Sequence, residues 1–173
     1  LGKSETTLDE YTYNFMSTFP SDITIFLNPC CLFLKAKTID DAIEKFITNK
    51  LNSCAASRIA QTHCFYNDQA INFSFKSLQP RSQDLIPVHA MTSAFFIWKN
   101  STYKKNYEKL GYANFHGKFG SYGLDFEEAI DIDQEGDFVF AESYKKFKKS
   151  RVSKPRYQAK IEKLIKVGKV SQN

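Results

Sequence analysis

The sequence predicts an α/β fold with a mostly parallel sheet. Segments with helical periodicity alternate with short apolar segments of strand length, and 173 residues with 42% apolar side chains are enough for one domain with a core. The alternation is interrupted over residues 53–80, where strand patterns follow one another with no helix between them. This interruption predicts an antiparallel β excursion within the domain.

The first part of the chain predicts a helix, a strand and a second helix. Apolar residues recur at helical spacing over residues 8–19, and Pro20 ends that helix. The apolar residues of this first helix are Leu8, Tyr11, Phe15 and Phe19. Residues 23–27 form a continuous apolar run that is typical of a buried strand. Thr38 and Asp41 have the spacing of a capping box and therefore predict the start of the second helix.

Three further strands and two further helices are predicted. Residues 53–62, 70–75 and 91–98 are rich in apolar and aromatic residues and predict the strands, the second by its alternation of apolar and polar positions. Ser101 predicts the cap of a helix that Gly111 ends. The last predicted helix extends from about residue 134 to residue 148.

Charge is distributed unevenly along the chain. The formal net charge is +5, but residues 144–173 contain eleven of the 24 Lys and Arg residues and one acidic residue, Glu162. The sequence therefore predicts a mildly acidic domain over residues 1–148 and a basic C-terminal tail over residues 149–173. Such a tail is most often a solvated helix or a disordered end; the alternative is a surface that binds nucleic acid or anionic lipid.

Two features of the composition bear on location. No apolar run approaches the length of a membrane span, and no secretory signal is visible at the start. The four cysteines form no C-x-x-C pair and lie apart from the three histidines. These patterns argue against structural zinc and favour a reduced, cytoplasmic protein.

Two glycine-containing segments have the spacing of phosphate-binding loops without their context. Gly2-Lys3-Ser4 has no strand and no glycine at the required upstream position, and no helix directly follows Gly117, Gly120 and Gly123. We interpret both segments as turns.

Residues 131–133 contain the clearest indication of chemistry. Asp131 and Asp133 lie two residues apart, so in an extended chain both carboxylates project to the same side, and a predicted helix follows. Paired carboxylates at a strand end are suited to Mg²⁺, whose coordination is usually completed by phosphates and water. The alternative is a helix N-terminus rich in acidic residues, which the helix dipole favours.

Four segments spread over roughly residues 22–143 carry a recognisable pattern. Residues 25–32, IFLNPCCL, are followed by IDDAI at residues 39–43, and the other three segments are RSQDLIPV at residues 81–88, SAFFI at residues 93–97 and AIDIDQEGDFVFAE at residues 129–142. In their order and spacing these segments resemble the acylneuraminate (CMP-sugar) cytidylyltransferase family. The first resembles its strand, proline-containing loop and helix, the second its Arg-Gln-Asp segment, the third a strand that the family has at this distance, and the fourth its acidic signature.

The resemblance implies a GT-A-like nucleotidyltransferase fold (a Rossmann-like sheet with a β excursion) and a homodimer. It also implies an enzyme, a cytidylyltransferase that transfers CMP from CTP to an acidic, sialic acid-like sugar with Mg²⁺ as cofactor. By the match, Asp131 and Asp133 would ligate the metal, and Asn28 would contact the sugar. Arg81 and Gln83 would lie near the sugar or near a site completed by the second subunit.

The chain also departs from the family. It has no counterpart of the family's first strand and basic, glycine-containing loop, which bind CTP; the N-terminal part is therefore expected to be missing and the chain alone to be inactive. The family has polar groups where this chain has Cys30, Cys31 and Leu32. This difference leaves the identity of the sugar substrate open. Two alternatives remain: a non-catalytic homologue acting as a dimeric binding module, and a binder of nucleic acid or anionic surfaces through the basic tail. We do not expect the domain itself to bind nucleic acid.

Overall fold

The computed structural model describes residues 6–149, which form two compact units, one ending at Asp133 and one beginning at Gln134. The first unit contains three helices and six strands, and the second contains helix α4. In chain order the elements are α1 (Leu8–Thr18), β1 (Ile23–Leu27), α2 (Ala36–Thr48), β2 (Ser53–Ala60), β3 (Phe65–Tyr66), β4 (Gln69–Ala70), β5 (Val88–Lys99), α3 (Asn100–Leu110), β6 (Phe119–Leu124) and α4 (Glu135–Lys149). Two short 3-10 turns cover Ser82–Asp84 and Phe126–Ala129. The predicted basic tail, and with it the predicted domain boundary, lies at the edge of or outside the described residues.

The main sheet of the first unit has four strands in the order β1-β5-β2-β6. Strands β1 and β2 each pair with β5 in antiparallel fashion, and β2 pairs with β6 in parallel. Strands β1, β2 and β6 therefore share one direction, and β5 runs against them. The predicted α/β class is confirmed, with three of the four strands pointing the same way.

The core consists of two apolar groups, one on each face of this sheet. Alternate residues of β5 point to opposite faces, as the pleat of a strand requires. Phe95 and Ile97 pack with Ala42 and Phe46 of α2 on one face. On the other face, Phe96 and Trp98 pack with buried residues of α1 and α3, and their rings stack with centroids 5.6 Å apart. The sheet thus lies between two helical layers.

The carboxylate of Asp9 ties the start of α1 to the segment after α3. Its Oδ1 accepts hydrogen bonds from the Tyr103 hydroxyl at 2.9 Å and from the backbone N–H groups of Ala113 at 2.6 Å and Asn114 at 3.1 Å. Its Oδ2 accepts one from the Asn114 amide at 2.9 Å. Burial and the hydrogen bond to Asp9 raise the pKa of Tyr103 above its usual range, so this hydroxyl remains a donor. The contact network is a structural anchor for α1.

The predicted apolar face of α1 is not the buried one. Thr12 and Met16 are buried, whereas Tyr11, Phe15 and Phe19 are exposed. Tyr11 and Phe15 instead line an open groove of about 240 Å³ beside the edge strand β1. The helix is therefore rotated by about one residue from the orientation that its apolar stripe predicts, because its neighbours in the sheet decide which face is covered.

Two predicted helix caps are also wrong. Helix α2 begins at Ala36, two residues before the predicted Thr38, and its N-cap residue Lys35 has no side-chain cap. Helix α3 begins at Asn100, with Lys99 at the N-cap in place of the predicted Ser101. The predicted end of α3 is confirmed, because Gly111 adopts the left-handed conformation at φ 81° that favours glycine.

The β excursion over residues 53–80 is present but short. Strands β3 and β4 form a two-stranded antiparallel hairpin, and the strand predicted over residues 70–75 ends at Ala70. The prediction that Gly120 and Gly123 lie in turns is wrong, since both belong to β6. A Cβ atom at either position would collide with the side chain of Leu51 or Ile59, so these glycines permit close packing.

Candidate active site

Three polar side chains from separate parts of the chain meet beside the carboxyl end of β1. Asn28 directly follows β1, and its backbone N–H donates to the carbonyl of Ala94 at 3.0 Å, which extends the pairing with β5. Ser93 lies in β5, and Asp131 follows the 3-10 turn Phe126–Ala129. The sheet therefore places Asn28 and Ser93, and the turn brings Asp131 to them.

The hydrogen bonds of this cluster fix the orientation of each side chain. Asn28 Nδ2 donates to Ser93 Oγ at 2.9 Å and lies 3.4 Å from both carboxylate oxygens of Asp131. Ser93 Oγ in turn donates to Asp131 Oδ2. Asn28 Oδ1 accepts the backbone N–H of Cys30 at 3.0 Å, which identifies the oxygen and nitrogen of the amide. Asp131 is consequently held by a hydroxyl and an amide donor, and we name Asn28, Ser93 and Asp131 the Asp131 cluster.

Cys31 borders the Asp131 cluster as a buried, neutral thiol. Burial, reinforced by the negative charge of Asp131, raises the pKa of Cys31 from 9.0 to about 11. A thiol with so high a pKa is a poor nucleophile near neutral pH. Cys31 therefore contributes packing and a weak donor at this position.

A second polar group lies behind the cluster, around the buried carboxylate of Glu128. Glu128 is only 2% exposed, and its Oε1 accepts from the backbone N–H of Lys35 at 2.9 Å and the hydroxyl of Thr38 at 2.7 Å. The Lys35 ammonium lies 3.2 Å from Glu128 Oε2, 2.9 Å from Glu127 and 3.5 Å from Asp125. Hydrogen bonding, first to Glu127, raises the pKa of Lys35, so the ammonium stays charged. Glu128 thus supplies the N-terminal cap that α2 lacks locally.

The remaining predicted site residues lie elsewhere. Asp133 is exposed at the end of the first unit and outside any strand, so no sheet imposes the same-side spacing assumed for Asp131 and Asp133. Arg81 and Gln83 lie in the excursion, where Arg81 Nε donates to Asp84 at 2.8 Å and Gln83 is exposed within the turn Ser82–Asp84. The structure therefore brings together Asn28 and Asp131 of the five predicted residues.

The residues present are compatible with one mode of magnesium binding. Within residues 6–149 there is no group of three or more His, Cys, Asp or Glu side chains that could hold a metal ion by itself. Mg²⁺ in nucleotide sites is commonly bound through one or two carboxylates, with phosphates and water as the other ligands. Asp131, oriented and partly exposed, supplies a carboxylate of that kind.

Sequence reasoning missed Ser93 and Glu128. Ser93 and its neighbour Thr92 are hydroxyl residues directly before the apolar and aromatic residues 94–98, which is a usable signal that a polar partner lies nearby. Glu128 carries no such signal, because next to Glu127 it reads as part of a solvated acidic run. Its burial depends on the approach of α2, which the local sequence does not encode.

The α/β sheet between two helical layers is consistent with a nucleotidyltransferase-like fold, as the comparison with solved structures shows. A solved structure of that fold, 4-diphosphocytidyl-2C-methyl-D-erythritol synthase from Anaerococcus prevotii DSM 20548, superposes with a TM-score of 0.52 at 13% identity. The match covers 82% of this chain and 65% of that chain, so this chain spans less than two thirds of its structural neighbour. No model of a protein family matches the sequence, and no curated protein matches it.

None of the helices within residues 6–149 has the length and apolar character that crossing a bilayer requires. All four cysteines are free thiols.

Proposed function

We propose that this chain belongs to a cytidylyltransferase that transfers CMP from CTP to an acidic, sialic acid-like sugar. Two findings support the proposal. The fold is shared with a protein whose name describes the synthesis of a diphosphocytidyl compound, a product that carries a cytidine nucleotide. The four sequence segments that resemble CMP-sugar cytidylyltransferases include all three residues of the Asp131 cluster.

The observation that carries the proposal is the orientation of Asp131. Asn28 and Ser93 come from two different motifs, more than sixty residues apart, and both donate to this one carboxylate. Donors from separate elements hold a carboxylate in a defined direction, which is what a group that positions a metal–nucleotide complex requires. A carboxylate that served only to cap α4 would not need them.

In the proposed reaction, the anomeric oxygen of the sugar attacks the α-phosphate of CTP in line, the bond from that phosphorus to the bridging oxygen breaks, and pyrophosphate leaves. Mg²⁺, when bound, would neutralise the charge of the triphosphate. Asp131, together with Asp133, would hold the metal–nucleotide complex, and Asn28 and Ser93 would keep the Asp131 carboxylate in place. Asn28, Arg81 and Gln83 would contact the sugar, the last two at a site that a second subunit completes.

The homodimer is part of this proposal. In the excursion, Phe65 and Phe75 stack with ring centroids 5.8 Å apart while both remain more than half exposed, and Leu78 is 95% exposed. Apolar side chains gathered on one exposed segment are typical of a protein interface. The excursion is therefore the surface on which we place the second subunit, close to Arg81 and Gln83 in the sequence.

The test is release of pyrophosphate from CTP by the full-length protein with Mg²⁺ and a panel of keto-acid sugars. We expect the Asp131→Asn and Asp133→Asn variants to lose activity by orders of magnitude while retaining their fold, because each loses a charged ligand. Asp41→Asn is the matched control, since Asp41 is paired with Lys37 on an exposed face of α2 and lies outside the cluster. Near-normal activity of Asp133→Asn would remove that residue from the metal site, and absence of CTP-dependent pyrophosphate release in the wild type would refute the proposed function.

A further inference from the structure

Asn28 and Asp131 belong to two short segments that are joined to each other at both ends. At one end, Asn28 Nδ2 lies 3.4 Å from the Asp131 carboxylate. At the other end, the backbone N–H of Lys35 donates to Glu128 Oε1 at 2.9 Å. The two chain segments, residues 28–35 and 128–131, are thus closed into a ring by the hydrogen bonds at their two ends.

Hydrogen-bonded turns stiffen both segments of this ring, which we call the first limb (residues 28–35) and the second limb (residues 128–131). In the first limb, Cys31 N–H donates to the Asn28 carbonyl and Leu34 N–H donates to the Cys31 carbonyl, both at 3.2 Å. In the second, Ile130 N–H donates to the carbonyl of Glu127 at 3.3 Å within the 3-10 turn. Since neither limb is a flexible loop, the link at Glu128 determines where the opposite ends of the limbs meet.

Glu128 is unusually well suited to be that link. An ionised carboxylate that is 2% exposed is costly to bury unless donors replace its water, and three groups do so: the Lys35 N–H, the Thr38 hydroxyl and the Lys35 ammonium. The N-terminus of α2 adds the favourable end of a helix dipole. A side-chain cap from position 35 itself would satisfy the N-terminus of α2 without any contact to residues 128–131.

We propose that Glu128 is a positioning residue for Asp131: by fixing the 3-10 turn to the start of α2, it sets the Asp131 carboxylate against Asn28 and Ser93. The geometric part of this inference concerns the chain alone, and only its consequence for catalysis rests on the proposed function. Residues that orient a metal ligand through a second layer of hydrogen bonds typically cost about 10- to 100-fold in metal affinity or activity when lost. We expect losses at the lower end for Glu128→Gln, which keeps an acceptor oxygen.

The experiment compares Glu128→Gln, Glu128→Ala and Thr38→Val with two controls. Asp41→Asn makes the same acid-to-amide change on an exposed part of α2, and Asp9→Ala weakens the opposite helical layer. The first readout is the NMR chemical shift of the Asn28 side-chain amide, which is sensitive to its hydrogen bonds with Asp131 and Ser93. We expect this resonance to move in the three test variants and to stay in place in each control, compared under conditions in which that control is folded.

The second readout is the affinity for CTP with Mg²⁺, measured by calorimetry on each variant of the full-length protein. An Asn28 resonance that is unchanged in folded Glu128→Gln and Thr38→Val would overturn the inference. If Glu128→Ala does not fold, these two variants alone test whether Glu128 positions Asp131. Failure of the wild-type protein to bind CTP with Mg²⁺ would count against the proposed function and leave the chemical-shift result standing. A shift of the resonance together with about a 10-fold loss of affinity supports both.

Discussion

Replacement of Asp9 by Ala tests the strongest polar anchor of the fold. The change removes a carboxylate that accepts four hydrogen bonds, from Tyr103, from the backbone of Ala113 and twice from Asn114. Tyr103 and Ala113 are 2% and 1% exposed, so their donors cannot recover water when the acceptor is lost. The side chain of Asn114, which is less buried, can become hydrated.

The expected loss follows from these contacts. A buried donor left without a partner costs about 1–3 kcal/mol. Asp9→Ala leaves the Ala113 N–H in that state and leaves the Tyr103 hydroxyl with only two longer contacts, both at 3.4 Å, to the Asp9 carbonyl and to Asn114 Oδ1. We therefore expect the free energy of unfolding to fall by about 3–5 kcal/mol, a large part of the roughly 5–15 kcal/mol that stabilises a typical domain. Asp9→Asn keeps one acceptor oxygen, but its new NH₂ group faces the NH₂ group of Asn114, and two donors cannot hydrogen-bond to each other. The free energy of unfolding should therefore fall by less in this variant, by about 1–2 kcal/mol.

Urea denaturation followed by fluorescence of Trp98 measures these differences, because Trp98 packs with Tyr103 in the same apolar group. Glu10→Ala is the control, since it removes an exposed carboxylate from the same first turn of α1. A loss in Asp9→Ala within about 1 kcal/mol of that in Glu10→Ala would show that the anchor contributes little. The reasoning from buried donors would then be refuted.

Two further predictions concern a buried thiol and the tail. Burial raises the pKa of Cys54 from 9.0 to about 11, so below pH 9 its thiolate is about 100-fold scarcer than that of an ordinary thiol. We expect alkylation followed by mass spectrometry at pH 8 to modify exposed Cys30 well before Cys54, and comparable rates would contradict the burial of Cys54. Because the folded state holds this proton more tightly, Cys54 contributes stability that is fully present below pH 9 and is lost towards pH 11. In urea titrations, the free energy of unfolding of Cys54→Ala should therefore fall less steeply between these pH values than that of the wild type. Removal of residues 149–173 should change the free energy of unfolding by less than about 1 kcal/mol, since the tail has few apolar residues and many like charges; a larger loss would mean that it docks on the domain.

The elements whose signals are local could be predicted from the sequence. Strand β1 was predicted with its observed bounds because a segment with four apolar residues among five is preceded by Pro20 and followed closely by Pro29, which cannot donate to a strand ladder. Gly111 ends α3 as predicted, since the left-handed conformation required there depends on one residue alone. Such features need no knowledge of the rest of the chain.

The features that depend on distant contacts could not be predicted in the same way. The buried face of α1 is chosen by its packing against the sheet and α3, so Thr12 is buried while the more apolar Phe15 is exposed. Helix α2 is capped by Glu128, which lies over ninety residues away, and a search for local capping residues placed its start at Thr38. In the candidate site, family resemblance singled out Asn28 and Asp131 as candidates, and the fold adds Ser93, which hydrogen-bonds to both.

The order of strands in the sheet has a consequence for how the protein acquires its structure during synthesis. Every pairing in the main sheet involves β5 or β6: Ile23 pairs with Lys99, and Ser53 pairs with both Trp98 and Phe119. Strands β1 and β2 therefore emerge from the ribosome without hydrogen-bonded neighbours in this sheet, and they cannot pair until residues 88–124 have been made. Pairings of such long sequence separation slow folding, because loop closure must precede the contacts that reward it. The nascent chain consequently carries exposed apolar strands until residues 88–124 have been made, and this interval is when binding by a chaperone matters most to its yield.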